Sequence, residues 1–279
     1  MEDSLDKKHE RLKRTLDELD SVAVAFSGGV DSVLLLKVAI DTLGADKVVA
    51  VTGRSSSLAK AELQHARELA KSLGAEHVIL DTDEFDDSNY VSNPTDRCYF
   101  CKANLYSHMQ RFIEKRGFKA IVCGTNVDDL GDFRPGIQAG REAGVHSPIA
   151  EAGLTKQDLR QLSQELGLPN FDKPANPCLS SRIQYGERVT PEKLGMIEAA
   201  EAFLHEMGIR VCRVRHHGAV ARIEVPADLI PRLAEAELSA SIDRYFRSLG
   251  YKYVSLDLRG FRSGSMNEVM DDANTVSGL

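Results

Sequence analysis

Residues 21–40 read SVAVAFSGGVDSVLLLKVAI: an apolar run of strand length, a glycine-rich turn, and a second apolar run of helix length. A strand that turns on glycines straight into a helix is the building unit of open parallel sheets, and such sheets bind ligands beyond the carboxyl ends of their strands. SGGVDS lies at such an end. Gly28 and Gly29 let the backbone turn tightly and approach a ligand with no Cβ in the way, while Ser27, Ser32 and the free N–H groups of the helix offer donors to an anion. A Walker A loop would place a lysine after its last glycine, but here Asp31 occupies the neighbourhood. A carboxylate suits the positive end of a helix, yet it repels a triphosphate unless a divalent cation lies between them. The spacing therefore points to Mg2+ bridging Asp31 and phosphate. Taken alone, the same residues also describe a tight turn whose Asp and Ser cap a helix.

Working outward, the strand-like runs KVVAVT, HVILDT and AIVCGT alternate with helical patterns in DSVLLLKVAIDTLG, LAKAELQHARELAKSLGA and a stretch over roughly residues 98–116. This rhythm implies right-handed βαβ units, an α/β fold class, and an open, mostly parallel sheet with helices on both faces. Residues 126–154 read as a long polar, glycine-rich loop of functional length. Thr155 then opens TKQDLRQLSQELGL as an N-cap, with Asp158 in the capping-box place and Gly167 at the end. The expected domains are residues 1–170, a proline-rich, cysteine-bearing linker over 171–189, and a smaller α+β domain over 190–279. The tail after RGFRSGSMNE reads as mobile.

A formal charge of −7 argues against broad, sequence-independent binding of nucleic acid, which needs clustered Lys and Arg. With no apolar run near the ~20 residues of a membrane span and a charged helical start in MEDSLDKKHERLKRTLDELD, the expectation is a cytoplasmic protein. Five cysteines without a signal peptide do not make a disulfide framework. Cys123 and Cys212 lie in strand-like runs and read as small buried hydrophobes. In RCYFCK, Cys98 and Cys101 share one face of a helix start, where the helix N-terminus with Arg97 and Lys102 favours thiolate. Cys178, in NPCLSS, is the natural third ligand. Three thiolates suit a 4Fe-4S cluster with one open iron; zinc with a fourth histidine ligand, a Cys98–Cys101 disulfide, or unliganded thiols are the competing readings. Gly124 and Thr125, with Asp128, Asp129 and Asp132 of CGTNVDDLGDFRPG, offer a second set for nucleotide and Mg2+, against a solvated acidic loop. Arg54, Ser55 and Ser56, after the second strand, are candidates for adenine or ribose.

SGGVDS after a strand resembles the PP-loop of the N-type ATP pyrophosphatases. The wider set VAFSGGVDS, DFRPG, CLSSR, RVRHH, ARIEVP and GYKYVSLDLRGFRSGSMN resembles the LarE family of ATP-dependent sulfur transferases in nickel-pincer nucleotide cofactor biosynthesis. The resemblance implies that MgATP adenylates a carboxylate of pyridinium-3,5-biscarboxylic acid mononucleotide and that a sulfur nucleophile displaces AMP, at two carboxylates in turn. It implies a hexamer assembled from dimers, with the last domain binding substrate and building the oligomer. It places Cys178, Asp31 and Glu201 as catalytic residues and Ser180, Ser181, Arg182, Arg213 and Arg215 around the substrate's phosphate. One family type sacrifices the sulfur of its single cysteine, matched by Cys178; Cys98 and Cys101 align this chain instead with the three-cysteine, iron-sulfur type. A tRNA thiolase and a nucleotide-binding sensor are the alternatives. The acidic balance speaks against the first, and the extra cysteines against the second.

Overall fold

The computed structural model describes residues 3–131, 134–174 and 176–262. They form two compact units that divide between Asn176 and Pro177. In the first, α1 (Leu5–Glu18) precedes β1 (Val22–Ala25), α2 (Val30–Leu43), β2 (Val48–Arg54), α3 (Lys60–Ser72), β3 (Glu76–Asp81), α4 (Ser88–Val91), α5 (Arg97–Arg116) and β4 (Ala120–Cys123). The four strands are parallel in the order β3-β2-β1-β4. β1 thus lies between β2 and β4, and the connection reverses direction at its carboxyl end, where the glycine turn stands.

Side chains alternate across this sheet. Val22, Val24, Ala50 and Val122 pack with Leu12, Leu16, Leu34 and Leu159 on one face. Ala23, Val49, Val51 and Ile121 pack with Tyr106, Met109 and Ile113 on the other. Because both faces are covered, the central strands read as continuous apolar runs. Each fully buried leucine contributes about 1.5–3 kcal/mol relative to exposure.

The stretch 126–154 is not the loop expected. It holds α6 (Val127–Leu130), α7 (Pro135–Glu142) and α8 (Pro148–Glu151), each too short to show a helical period. Their starts are set locally: Asn126 caps α6 by accepting from the N–H groups of Asp128 and Asp129, and proline stands in the first turn of the other two. α9 (Lys156–Glu165) begins as expected. The Thr155 hydroxyl accepts from Asp158 N and the Asp158 carboxylate from Thr155 N.

The second unit starts with a 3-10 turn, Leu179–Arg182, then α10 (Pro191–Glu206), β5 (Arg213–His217), β6 (Val220–Glu224), α11 (Ile230–Leu233), α12 (Ala236–Ser248) and β7 (Tyr253–Leu256). β5 and β6 form an antiparallel hairpin turning on Gly218, at φ 57°, and β6 pairs parallel with β7. Leu204, Val214, Ile223 and Phe246 are among its core residues. Ile183 bridges to His216 at the edge of β5, and Arg182 is 1% exposed, so residues 177–189 are packed into this unit rather than strung as a free linker. The end of the chain, from residue 263, lies outside the described residues, as does Asp132. Among the described residues no helix is long and apolar enough to cross a membrane.

Candidate active site

The turn after β1 is fixed by its own serines. Ser27 N donates to Ser32 Oγ at 3.3 Å, Ser32 Oγ donates to Gly29 O at 3.1 Å, and Gly29 N reaches Ser27 Oγ at 3.4 Å. Gly28 has φ 71°, and a Cβ there would meet Ala66 Cα at 3.2 Å. Buried Asn170 donates to Gly28 O at 3.3 Å. Gly124, at the end of β4, is needed for a different reason. A Cβ on it would lie 3.0 Å from Ser32 N and 3.1 Å from Asp31 C, so the strand end presses directly on the first turn of α2.

Asp31 is held by two donors from distant parts of the chain. Lys156 Nζ pairs with its Oδ1, and Asn126 Nδ2 donates to its Oδ2 at 3.2 Å. Lys156 also donates its backbone N–H to Asp128 Oδ2 at 2.7 Å. The two carboxylates expected to hold Mg2+, Asp31 and Asp128, are thereby drawn to one residue. Asp129 instead returns to Asn126 N and pairs with Arg134 at 2.6 Å. Arg54 spends its guanidinium on Asp81, at 2.6 and 2.8 Å. Ser55 and Ser57 donate to the buried carboxylate of Glu84, and Ser56 is exposed. Thr125 Oγ1 lies 3.3 Å from Cys123 Sγ.

Lys156 and Asn126 are absent from the sequence-based candidates. The available signal is local: Asn126 with Asp129 makes a capping box, and Lys156 directly follows the N-cap Thr155.

Cys98 is exposed and Cys101 half-buried, on the first and second turns of α5. Arg97 is turned inward, with Nη1 donating to Asn93 Oδ1. Lys102 is a cation that feels the sulfurs. Its ammonium lies 5.8 Å from the Tyr106 ring centroid, and the Tyr106 phenol, with Cys101, Cys123 and Cys98, raises its pKa against the opposing effect of burial. Cys123 fits the expected core role in part: it packs half-buried against the core at the strand end, with Ser147 Oγ at 3.4 Å. Cys212 does fit that role, fully buried, its thiol pushed up to about 12 by burial and by Glu201. Cys178 is half-buried in the second unit. Among the described residues no three His, Cys, Asp or Glu side chains gather in a metal-holding arrangement.

In the second unit the residues expected to hold a phosphate lie close together but largely buried. Arg182 Nε and Nη2 donate to the two oxygens of Glu201 at 3.0 and 3.1 Å, and Glu201 Oε1 also accepts from Val214 N at 3.0 Å. Arg215 bonds Glu224 at 2.8 Å and Ser181 O at 3.1 Å. Arg213 donates to Cys212 O at 2.6 Å and stacks over Phe261, centroid distance 5.2 Å; burial, then the Arg182 charge, lowers its pKa. Ser180 is fully buried.

The NAD synthase family model matches residues 5–177, the whole of the first unit's sheet and its turn. Over 97% of both chains this sequence is 39% identical to the pyridinium-3,5-bisthiocarboxylic acid mononucleotide synthase of Lactiplantibacillus plantarum. This chain belongs to the LarE family, within the PP-loop proteins. An uncharacterized protein of Synechocystis sp. is 44% identical to this LarE-family chain over 95% of its length and 99% of the relative's own. The tRNA-specific 2-thiouridylase of Azorhizobium caulinodans is 29% identical over 61% of this chain and 54% of its own. The likeness to the synthase thus extends through both units, whereas the likeness to the thiouridylase is partial on either chain.

Proposed function

We propose that this LarE-family protein is an ATP-dependent sulfur transferase that adenylates the carboxylates of pyridinium-3,5-biscarboxylic acid mononucleotide and converts them to thiocarboxylates. The observation that carries this reading is the likeness to the named synthase over 97% of both chains, second unit included.

The chain's residues serve the first step in a definite order of contact. The N–H groups at the start of α2, with Ser27 and Ser32, receive the phosphates, and Gly28 and Gly29 let them approach. Asp31 and Asp128 are hard oxygen donors and fit Mg2+, which would offset charge on the departing pyrophosphate. Lys156, already paired with Asp31, supplies a positive charge beside the same oxygens. The substrate carboxylate attacks the α-phosphorus, pyrophosphate leaves, and a poor electrophile becomes an acyl adenylate with a good leaving group. Attack by a sulfur anion at the acyl carbon then expels AMP and leaves the thiocarboxylate. Arg213 and Arg215, with Ser180 nearby, are the residues for the substrate's phosphate.

Cys98, Cys101 and Cys178 are soft thiol donors, two of them one helical turn apart beside the Lys102 cation, and their chemistry fits a 4Fe-4S cluster. Such a cluster would supply a place for exogenous sulfide. A hexamer built from dimers and a cytoplasmic location complete the reading. The test combines pyrophosphate release that depends on the pyridinium nucleotide with iron and sulfide analysis of anaerobically purified protein. Nucleotide-independent release, or tight tRNA binding at physiological salt without response to the nucleotide, overturns the substrate. No iron, with loss of the mass of hydrogen sulfide at Cys178 after turnover, replaces the cluster with a sacrificial cysteine.

A further inference from the structure

Among the described residues Arg182 is the largest side chain with under 2% of its surface exposed, and its partners explain what a buried guanidinium does there. One edge takes Glu201 in a two-point grip at 3.0 and 3.1 Å. The other edge, through Nη1, donates to the carbonyls of Pro177 and Cys178, the latter at 3.0 Å, and to Ser181 Oγ at 3.1 Å. The Cys178 carbonyl also accepts from Ser181 N at 3.0 Å and Ser181 Oγ at 2.8 Å. Three donors on one carbonyl hold the backbone of a half-buried cysteine. Glu201 completes the frame by accepting from Val214 N on β5, the strand of Arg213 and Arg215, while Arg215 grips Ser181 O.

We propose that Arg182, locked by Glu201, is a positioning residue that fixes Cys178 for sulfur transfer. The proposal rests on the function proposed above, in which Cys178 handles the sulfur. It assigns to Glu201 and Arg182 a role through the cysteine loop in place of direct contact with substrate. Sulfur transfer depends on a narrow approach geometry at the acyl carbon, where displacement by about 1 Å costs up to about a hundredfold. An acyl adenylate that is not intercepted hydrolyses, so the readout is thiocarboxylate formed per pyrophosphate released.

The experiment compares the parent with Arg182→Lys, Glu201→Gln and, as a control, Thr190→Ala. Lysine keeps the charge but cannot grip Glu201 and two carbonyls at once. Glu201→Gln keeps the shape and serves if the lysine variant fails to fold. Thr190 caps α10 through Lys193 N and is not among the bonds of the cysteine loop, so its loss destabilises the unit without removing a bond of that loop. The expected result is a thiocarboxylate-to-pyrophosphate ratio lowered about tenfold or more in Arg182→Lys, less in Glu201→Gln, and unchanged in Thr190→Ala. In parallel, iodoacetamide should alkylate Cys178 faster in the first two variants than in the parent. A ratio equal in all four proteins, or one that falls in Thr190→Ala as well, overturns the proposal. Should the parent release no pyrophosphate with the pyridinium nucleotide, the proposed function fails; equal Cys178 alkylation in parent and Arg182→Lys, or Glu201→Gln if that variant does not fold, then separately overturns the brace.

Discussion

Gly28→Ala and Gly29→Ala, two substitutions in the same turn, should have very different effects on stability. At Gly28 an alanine must adopt φ near 71°, at a cost of about 1–2 kcal/mol for an L-residue. Its Cβ would also stand 3.2 Å from Ala66 Cα and 3.3 Å from Ala66 Cβ, and the first of these neighbours is backbone that cannot turn aside. Relief requires a shift of α3 against the turn, so a total of about 2–3 kcal/mol is expected. At Gly29 the backbone is extended, φ −78° and ψ 163°, and the nearest atom to an added Cβ is Ser27 Oγ at 3.4 Å. The cost there is near zero. For a unit of this size, the Gly28 variant should lose roughly 4–12 °C in Tm, and the Gly29 variant within about 2 °C of none. Thermal unfolding followed by circular dichroism without nucleotide reads both. Equal losses in the two variants would refute the reasoning.

Lys156→Ala should cost at most about 1 kcal/mol of stability, since the Asp31 pair is 41% exposed on the lysine side. Pyrophosphate release, by contrast, should fall at least about tenfold, because the same ammonium faces the oxygens that carry charge in the first step. Thr155→Ala removes the hydroxyl that accepts from Asp158 N and should lower stability by about 0.5–2 kcal/mol in urea titration. His9, His65, His77, His216 and His217 all have pKa values lowered chiefly by burial. The unfolded chain therefore takes up protons first as pH falls through about 6.5, and the urea midpoint should decline from that pH downward before the carboxylates titrate. A flat midpoint from pH 7 to about 5 would contradict it.

The strand, turn and helix of residues 21–40 are legible in the sequence because periodicity and glycine chemistry act within a few residues. The short helices of 126–154 are not, since helices of four to eight residues have little face to repeat. Lys156 escapes for a different reason: its partner Asp31 lies 125 residues away, and only the fold brings α9 to the turn after β1. Arg182 and Arg215 show a further limit. The family resemblance places them around the substrate's phosphate, and in the structure their guanidiniums pair with Glu201 and Glu224. A buried ion pair joins residues whose desolvation is offset only by each other, and sequence spacing carries no record of such pairing. Cys123 reads as a core residue because its strand is apolar, and it does pack against the core; the strand ends there, so hydroxyl neighbours share its sulfur.

The loop that presents Cys178 owes its shape to main-chain oxygens. Pro177 O, Cys178 O and Ser181 O take the arginine and serine donors, while the Cys178 sulfur itself makes no hydrogen bond among the described residues. The support and the reactive atom are separate parts. Whatever leaves or joins that sulfur, the frame beneath it stays whole, so Cys178→Ala should unfold at the parent's temperature. In such an arrangement the sulfur can be treated as cargo while its mount persists.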